Sequence, residues 1–455
     1  MPQPQQLQAF IEFIETINRS SGVLLPDHWR SLPDVEIVRR FLSGINRYFF
    51  QTRSDLGRLH CLDEEFQYFS EFHRFWESHH KEIIGAEVDR GQAGAAATAL
   101  SEAVRRYGAD ILRVRLDTLN LAPTAVAQVR FLTANQDFRE PPTGQFRLYL
   151  EDPAQYNARV IADDPAGFLR FLGLTRLSQT DKRLDYAKNA ARLLLDLGCD
   201  AYGLAAVHCQ DAASLRNALV ASPNTGYGLK KANMFIRDMV ELGVWPDLAN
   251  FDAIDVASDI NTMKLALRTR ILRTSMPLVS SLLDVFCYQY GHIDEASAGA
   301  WRAVWEEWRA LDGLAPRSPS QMDYLLYSIG RSYCRDILVR YRCERGHGFH
   351  HFGAQLRLCR ECAGQSVRST ATPTARLFPC QVPSGELPRE GGELMLPHDN
   401  PLRRFGGTCV LESVCNPTGP DFCALDPPKS ISIKGQTGWL SAYADECRGG
   451  GGLMA

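Results

Sequence analysis

Hydrophobic positions recur mostly every three to four residues along this chain, which predicts a mainly helical protein. Phe10, Ile11, Phe13, Ile14 and Ile17 mark a first helix, and Val35, Ile37, Val38, Phe41 and Leu42 a second. A third, from Asp63 to His80, is crowded with Phe66, Tyr68, Phe69, Phe72, Phe75 and Trp76. An aromatic stripe at this spacing reads as core rather than as a base-stacking platform. Gly91 to Ala97 is a run of mostly small residues and predicts a boundary. Helices are expected at 97–107, 122–134, 159–173 and 181–197, the last with Leu184, Ala187, Ala191, Leu194 and Leu197 on one face and Gly198 beyond its end. Phe146 to Leu150 alternates and predicts a short strand. Further helices are expected at 278–290 and 295–310, and a closing one from Gln321, behind Pro319 and Ser320.

The stretch 222–269 carries the most chemistry. A helix with Leu215, Ala218 and Leu219 on one side ends near Pro223, and the turn S-P-N-T-G-Y-G follows. The next helix starts at Leu229. Its apolar positions Ala232, Phe235, Ile236, Met239 and Val240 share one face, and Gly243 and Pro246 stop it. Gly226 and Gly228 bracket Tyr227. Glycines at a helix entrance permit positive φ and close approach of backbone to a ligand. Their amides, with the positive helix end, form an anion site suited to a DNA phosphate. Lys230 lies just behind the turn, and Asp259 follows 29 residues later, ahead of a helix with Ser258 as N-cap and Ile260, Met263 and Leu267 inside. A helix turns about 100° per residue, so only one of Lys230 and Lys231 faces a given pocket. Asp252 and Asp255 rival Asp259.

G-Y-G-L-K-K-A (226–232) resembles the helix-hairpin-helix of the base-excision DNA glycosylases, the superfamily named for its hairpin followed by Gly-Pro-Asp. A-S-D-I-N-T-M-K-L-A-L-R-T-R-I-L is similar to that family's aspartate helix, and M-D-Y-L-L-Y-S-I-G-R (322–331) to the closing helix of the archaeal oxoguanine glycosylase branch. The three matches, in order, cover about a quarter of the chain. The turn departs from the family in carrying Asn224-Thr225 where many members have Leu-Pro. The resemblance implies a DNA N-glycosylase acting on double-stranded DNA with a modified base. Lys230 would be the amine nucleophile of a bifunctional glycosylase and lyase, Asp259 the carboxylate at the base pocket, and Gly226, Tyr227, Gly228 and Lys231 contacts to DNA. It also suggests oxidised guanine as substrate, in DNA repair. Glycosylases similar to this branch also act in antiviral defence, removing glucosylated hydroxymethylcytosine from phage DNA. The competing readings are a non-catalytic helix-hairpin-helix DNA binder with a zinc domain, and a helical protein–protein scaffold.

Composition narrows this picture. The chain has 455 residues, 45% hydrophobic and 23% charged, with a net charge of −3. That is not a protein that coats nucleic acid indiscriminately. Lys264, Arg268, Arg270 and Arg273 are candidates for a basic face, and equally for a solvated helix surface. No signal peptide and no apolar run of about 18 residues is found, so no membrane segment is expected. Thirteen cysteines without a secretory signal fit a reducing compartment, the cytoplasm, and a monomer is expected.

From Arg342 the character changes. Cys343-x3-His347 and Cys359-x2-Cys362 supply two ligands from each of two loops, the requirement of a tetrahedral structural Zn2+ site. His350 and His351 are alternatives to His347. Residues 363–407 read as a Pro/Gly/Ser/Arg-rich linker. Cys380, Cys409, Cys415 and Cys423 form a second set whose spacing matches no metal pattern, and the four-cysteine spacing of an iron–sulfur cluster is absent. The expected organisation is an N-terminal helical region (1–92), a helix-hairpin-helix glycosylase core (93–341) and a Cys-rich zinc-binding region with a linker and tail (342–455).

Overall fold

The computed structural model describes residues 85–114, 116–136, 144–174, 180–259, 261–274 and 292–330 with their side chains, and elsewhere isolated residues and short elements. It is mainly helical. In chain order come β1 (Leu59–Cys61), β2 (Glu64–Phe66), β3 (Ala86–Val88), α1 (Arg90–Tyr107), α2 (Pro123–Ala134), α3 (Gln145–Glu151), α4 (Ala158–Asp163), α5 (Pro165–Phe171), α6 (Thr180–Leu197), α7 (Leu204–Val207), α8 (Ala212–Ala221), α9 (Leu229–Glu241) and α10 (Ile260–Arg268). Then follow β4 (Leu272–Thr274), α11 (Cys287–Leu311), α12 (Asp323–Ile329), β5 (Leu338–Cys343), β6 (Gly348–Phe352), β7 (Leu377–Cys380), β8 (Arg389–Glu390) and β9 (Glu393–Leu394). Among the described residues no helix is long and apolar enough to cross a membrane. The chain divides into two compact units: Val104–Asp259 with Asp312–Leu325, and Met1–Ala103 with Ile260–Leu311 and Leu326–Ala455.

The first of these units is built on α2 and α9. From Ala125 to Ala134, α2 is buried at every position but Gln128. All five predicted apolar residues of α9 are buried, Ala232, Phe235, Ile236 and Met239 completely. Phe131 of α2 stacks on Tyr227 with ring centroids 5.1 Å apart, and Phe235 meets Phe131 at 5.5 Å and Trp245 at 5.6 Å. Each such side chain taken out of water contributes about 1.5–3 kcal/mol, which fixes α9 by its apolar face. Its ends are also set locally: Gly243 takes φ 72°, the left-handed conformation that ends a helix. Ser318 starts the 3-10 turn Pro319–Met322 with a reciprocal cap from Gln321, and its hydroxyl donates to the Ile254 carbonyl at 2.7 Å. That bond docks the start of α12 in this unit.

In the other unit, β3 and β4 pair antiparallel, with Glu87 opposite Arg273. Asp89 accepts from the Gln92 amide at 3.0 Å in the first turn of α1 and pairs with Arg273 at 2.5 Å. Trp301 and Trp308 of α11 are fully buried, and the Trp301 indole donates to the Thr262 carbonyl of α10 at 3.2 Å.

Several expectations are corrected. Phe146–Leu150 is helical, within α3: Phe146 is buried while Arg147 and Leu150 are exposed, a pattern too short to separate helix from strand by alternation. Glu64–Phe66 is a strand paired with Leu59–Cys61, inside the expected helix 63–80. Gly91–Ala97 lies within α1, where Ala93, Ala96 and Ala97 are buried and close packing explains their size. The helix expected over 159–173 breaks at Asp164, whose carboxylate accepts from the Gly167 amide at 2.8 Å ahead of Pro165. Gly291 lies within α11 rather than between two helices. Lys264 and Arg268 are buried, so neither belongs to a basic outer face or a solvated one.

Two glycines are sterically required. Gly226 has φ 79°, and a Cβ there would lie 2.8 Å from the Tyr186 ring; a Cβ on Gly330 would lie 2.6 Å from the Asn261 carbonyl oxygen. Gly226→Ala and Gly330→Ala are each expected to lower unfolding free energy by about 1–3 kcal/mol, measured by denaturant titration.

Candidate active site

The turn between α8 and α9 is tied down from below. Asn135, just past α2, donates through its amide nitrogen to the carbonyls of Tyr186 and Thr225, both at 3.1 Å. Asn189 of α6 donates to the Asn224 carbonyl at 3.2 Å. Asn224 and Gly226 take the left-handed conformation, at φ 55° and 79°. Gly228 does not: its φ is −84° and a Cβ would meet nothing within 4 Å. Of the two glycines, then, Gly226 is demanded by the turn itself, whereas Gly228 leaves open space at the start of α9.

Tyr227 is not a surface contact. Its ring is buried against Phe131, and its hydroxyl donates to the Phe131 carbonyl at 2.5 Å. A tyrosine between two glycines is equally compatible with a core anchor, and the packing decides for that. Its amide faces Thr225 Oγ1 at 3.4 Å.

The two adjacent lysines have different surroundings. Lys231 is half-buried; its Nζ donates to the Asn135 carbonyl at 2.5 Å and lies 5.9 Å from the centre of the Tyr186 ring. Lys230 is exposed. It lies on the same side of α9 as Arg237 and Glu241, positions i, i+7 and i+11 of one helix face. That face meets the segment 318–323: Arg237 Nη1 donates to Asp323 Oδ2, and Gln321 donates to Glu241.

Behind this face stands a buried charge cluster. Asp238, fully buried, accepts from Arg130 Nε at 2.7 Å and from Arg237 Nη2 at 2.7 Å and Nε at 3.1 Å. Burial works against the Arg237 charge, but the carboxylates of Asp238 and Asp323 outweigh it and hold the guanidinium protonated. Asp323 has only a share of that cation. Burial raises its pKa; Arg237 opposes this, Asp259 adds to it, Lys230 opposes it and Asp238 adds to it, with the result near 6. Lys230 and Asp259, distant in sequence, therefore both lie close enough to one buried carboxyl to bear on its charge. Asp252 is exposed and Asp255 half-buried, and neither is among the influences that set Asp323.

Asp323 and the Arg130–Asp238–Arg237 group are functional candidates that the sequence reading did not single out. Asp323 stood inside the matched segment 322–331, but only the fold shows which of its residues turns toward α9. Ser258 does not act as the expected N-cap, since its hydroxyl oxygen has no hydrogen-bond partner.

Cys343 ends β5, while His347, Cys359 and Cys362 lie outside the described residues. The backbone of β5 and β6 pairs Arg342 with Gly348, so the chain reverses between them, with Cys343 at one foot of the turn. Among the described residues no group of three or more His, Cys, Asp or Glu is placed to hold a metal. No protein-family model matches the chain, and no curated protein matches it.

The cluster makes stability depend on pH and on which acid is removed. Asp323 is raised from 3.8 to about 6, so its contribution is complete below pH 3.8 and is lost as pH rises through 6. The shift corresponds to roughly 3 kcal/mol. Asp323→Asn is expected to flatten that part of the stability–pH curve. Asp238→Asn leaves two buried guanidiniums short of their shared anion and is expected to cost about 3–5 kcal/mol at pH 7, read by denaturant unfolding.

Proposed function

We propose that the protein is a DNA N-glycosylase of the helix-hairpin-helix type, with α8, the glycine turn and α9 as the hairpin that grips a sugar–phosphate strand. The observation that carries this reading is the convergence of Lys230 and Asp259 on Asp323. An exposed amine and two carboxyl groups then bear on one another within one polar neighbourhood.

A base inside a duplex must leave the stack before its glycosidic bond is accessible. Lys230, a cation in the resting site, first passes a proton to the Asp323 carboxylate, which titrates near 6, and as the neutral amine attacks C1′; the C1′–N bond breaks and its electron pair leaves with the base. The Asp259 carboxylate offsets the positive charge that develops on the sugar. The attached nitrogen then gives up a second proton, which passes to the departing base. Ring opening leaves a Schiff base between lysine and sugar, and β-elimination of the 3′ phosphate nicks the strand. The substrate is a modified base, oxidised guanine or a glucosylated hydroxymethylcytosine, which corresponds to DNA repair or to antiviral defence. Cys343, His347, Cys359 and Cys362 would hold a structural Zn2+, which orders a domain by joining its loops and takes no part in the reaction.

Sodium borohydride is expected to trap wild-type protein on abasic DNA, and Lys230→Gln is expected to abolish trapping while leaving Tm unchanged. Gly228→Ala, built into open space, is expected to keep stability and weaken DNA binding. DNA binding without trapping or base release would favour a non-catalytic DNA binder; trapping that survives in Lys230→Gln would move the nucleophile elsewhere.

A further inference from the structure

Asn233 stands one turn of α9 beyond Lys230 and one turn before Arg237, on the face that meets residues 318–323. It is 5% exposed, and its amide oxygen accepts no hydrogen bond. Ser258, the residue before Asp259, is 4% exposed, and its hydroxyl oxygen also has no partner. Nearly all buried polar atoms of native proteins are satisfied, so an orphaned one calls for an explanation, be it strain, an ordered water or a ligand. Asn135 and Gln136 leave amide oxygens unpartnered as well, but their amide nitrogens are engaged in holding the turn and α6. Asn233 and Ser258 instead adjoin the two residues to which the chemistry is assigned.

Helix packing gives no reason for an amide at 233. The apolar face of α9 is already complete without it, and a leucine or methionine would satisfy a buried position at lower cost. The unmet atom is an acceptor, so the missing group must bring an N–H or O–H donor. Beside that acceptor the amide carries an NH2, which meets an acceptor on the same edge. An N–H next to a ring nitrogen or carbonyl oxygen is the Watson–Crick edge of a nucleobase.

We infer that Asn233 is a specificity-determining residue that hydrogen-bonds the Watson–Crick edge of the extruded base, with the Ser258 hydroxyl as a second polar contact. This rests on the glycosylase reading and adds which side chain reads the base. The edge chemistry is shared by oxidised guanine, with N1–H beside O6, and by modified cytosine, with N4–H beside N3.

Three measurements on Asn233→Leu test it: release of oxidised guanine and of glucosylated hydroxymethylcytosine from duplex DNA, borohydride trapping on a preformed abasic site, and Tm. Release of the base that wild type removes is expected to fall about tenfold or more, because a site built to hydrogen-bond its substrate discriminates through that bond. Trapping needs no base and is expected to stay within about twofold of wild type. Tm is expected to rise, since an unpartnered buried amide is replaced by an apolar side chain. If leucine does not fit, Asn233→Ser is expected to give the same split between release and trapping. Asn233→Asp separates the two sources. A carboxylate matches the adjacent N1–H and N2–H donors of oxidised guanine but repels the N3 acceptor of cytosine. Unchanged release in Asn233→Leu and Asn233→Ser, or release and trapping falling together, would overturn the assignment. Wild-type protein that traps abasic DNA but shows the same base release with or without the amide refutes only this inference. Wild-type protein that neither traps nor releases refutes the glycosylase reading and this inference with it.

Discussion

One carboxylate, Asp238, lies fully buried between the guanidiniums of Arg130 and Arg237. Two cations around a single anion leave a charge to be neutralised, and Arg237 finds it in Asp323. A buried ion left without its partner costs several kcal/mol, so this alternation of charges constrains the rotation of α9 and the seat of the segment 318–323 together. Asp323 is the end of that chain of pairs, and its burial, helped by the nearby Asp259 and only partly offset by Arg237, makes it retain its proton to higher pH than an ordinary aspartate.

α9 is accordingly packed on two sides beyond its exposed first turn. Its apolar side, anchored by Phe235 and Met239, joins the core with Tyr227, Phe131 and Trp245. Its other side carries Lys230, Asn233, Arg237 and Glu241. A helix gripped on both sides has little freedom to turn about its axis, and the first turn inherits that precision. The result separates two neighbouring lysines. Lys231 is committed to the Asn135 carbonyl, which helps hold the turn, and Lys230 stays exposed, with its charge felt at Asp323. Gly226 and Tyr227 belong to the same scaffold: one allows the turn its conformation, and the other nails it to α2.

The amino-acid pattern was most legible where a single face decides the packing. The start of α9 at Leu229, its five apolar contacts, the glycine stops after α6 and α9 and the helix before the turn are all as expected. It was least legible where local signals conflict with tertiary context. Alternation over Phe146–Leu150 spans too few residues to separate the two periodicities. The run of mostly small residues at 91–97 reads as a boundary by composition, and the fold makes it a tightly packed stretch of helix. Lysine and arginine at 264 and 268 look solvent-facing until the surrounding elements cover them. The site divides in the same way. Lys230 and Asp259 were visible as residue types at a suggestive spacing. Asp323, Arg237, Asp238 and Asn233 acquire meaning only from which face of α9 meets which segment, a long-range fact that no local pattern encodes.

The convergence of a lysine and an aspartate on Asp323 can be measured without any substrate. Carboxyl-carbon NMR of Asp323 follows its titration directly. The account predicts a midpoint near 6 in the wild-type protein, a lower one in Asp259→Asn and a higher one in Lys230→Met. A midpoint that stays in place in both variants would mean that neither side chain lies beside Asp323, and the assignment of these residues to one site would be wrong.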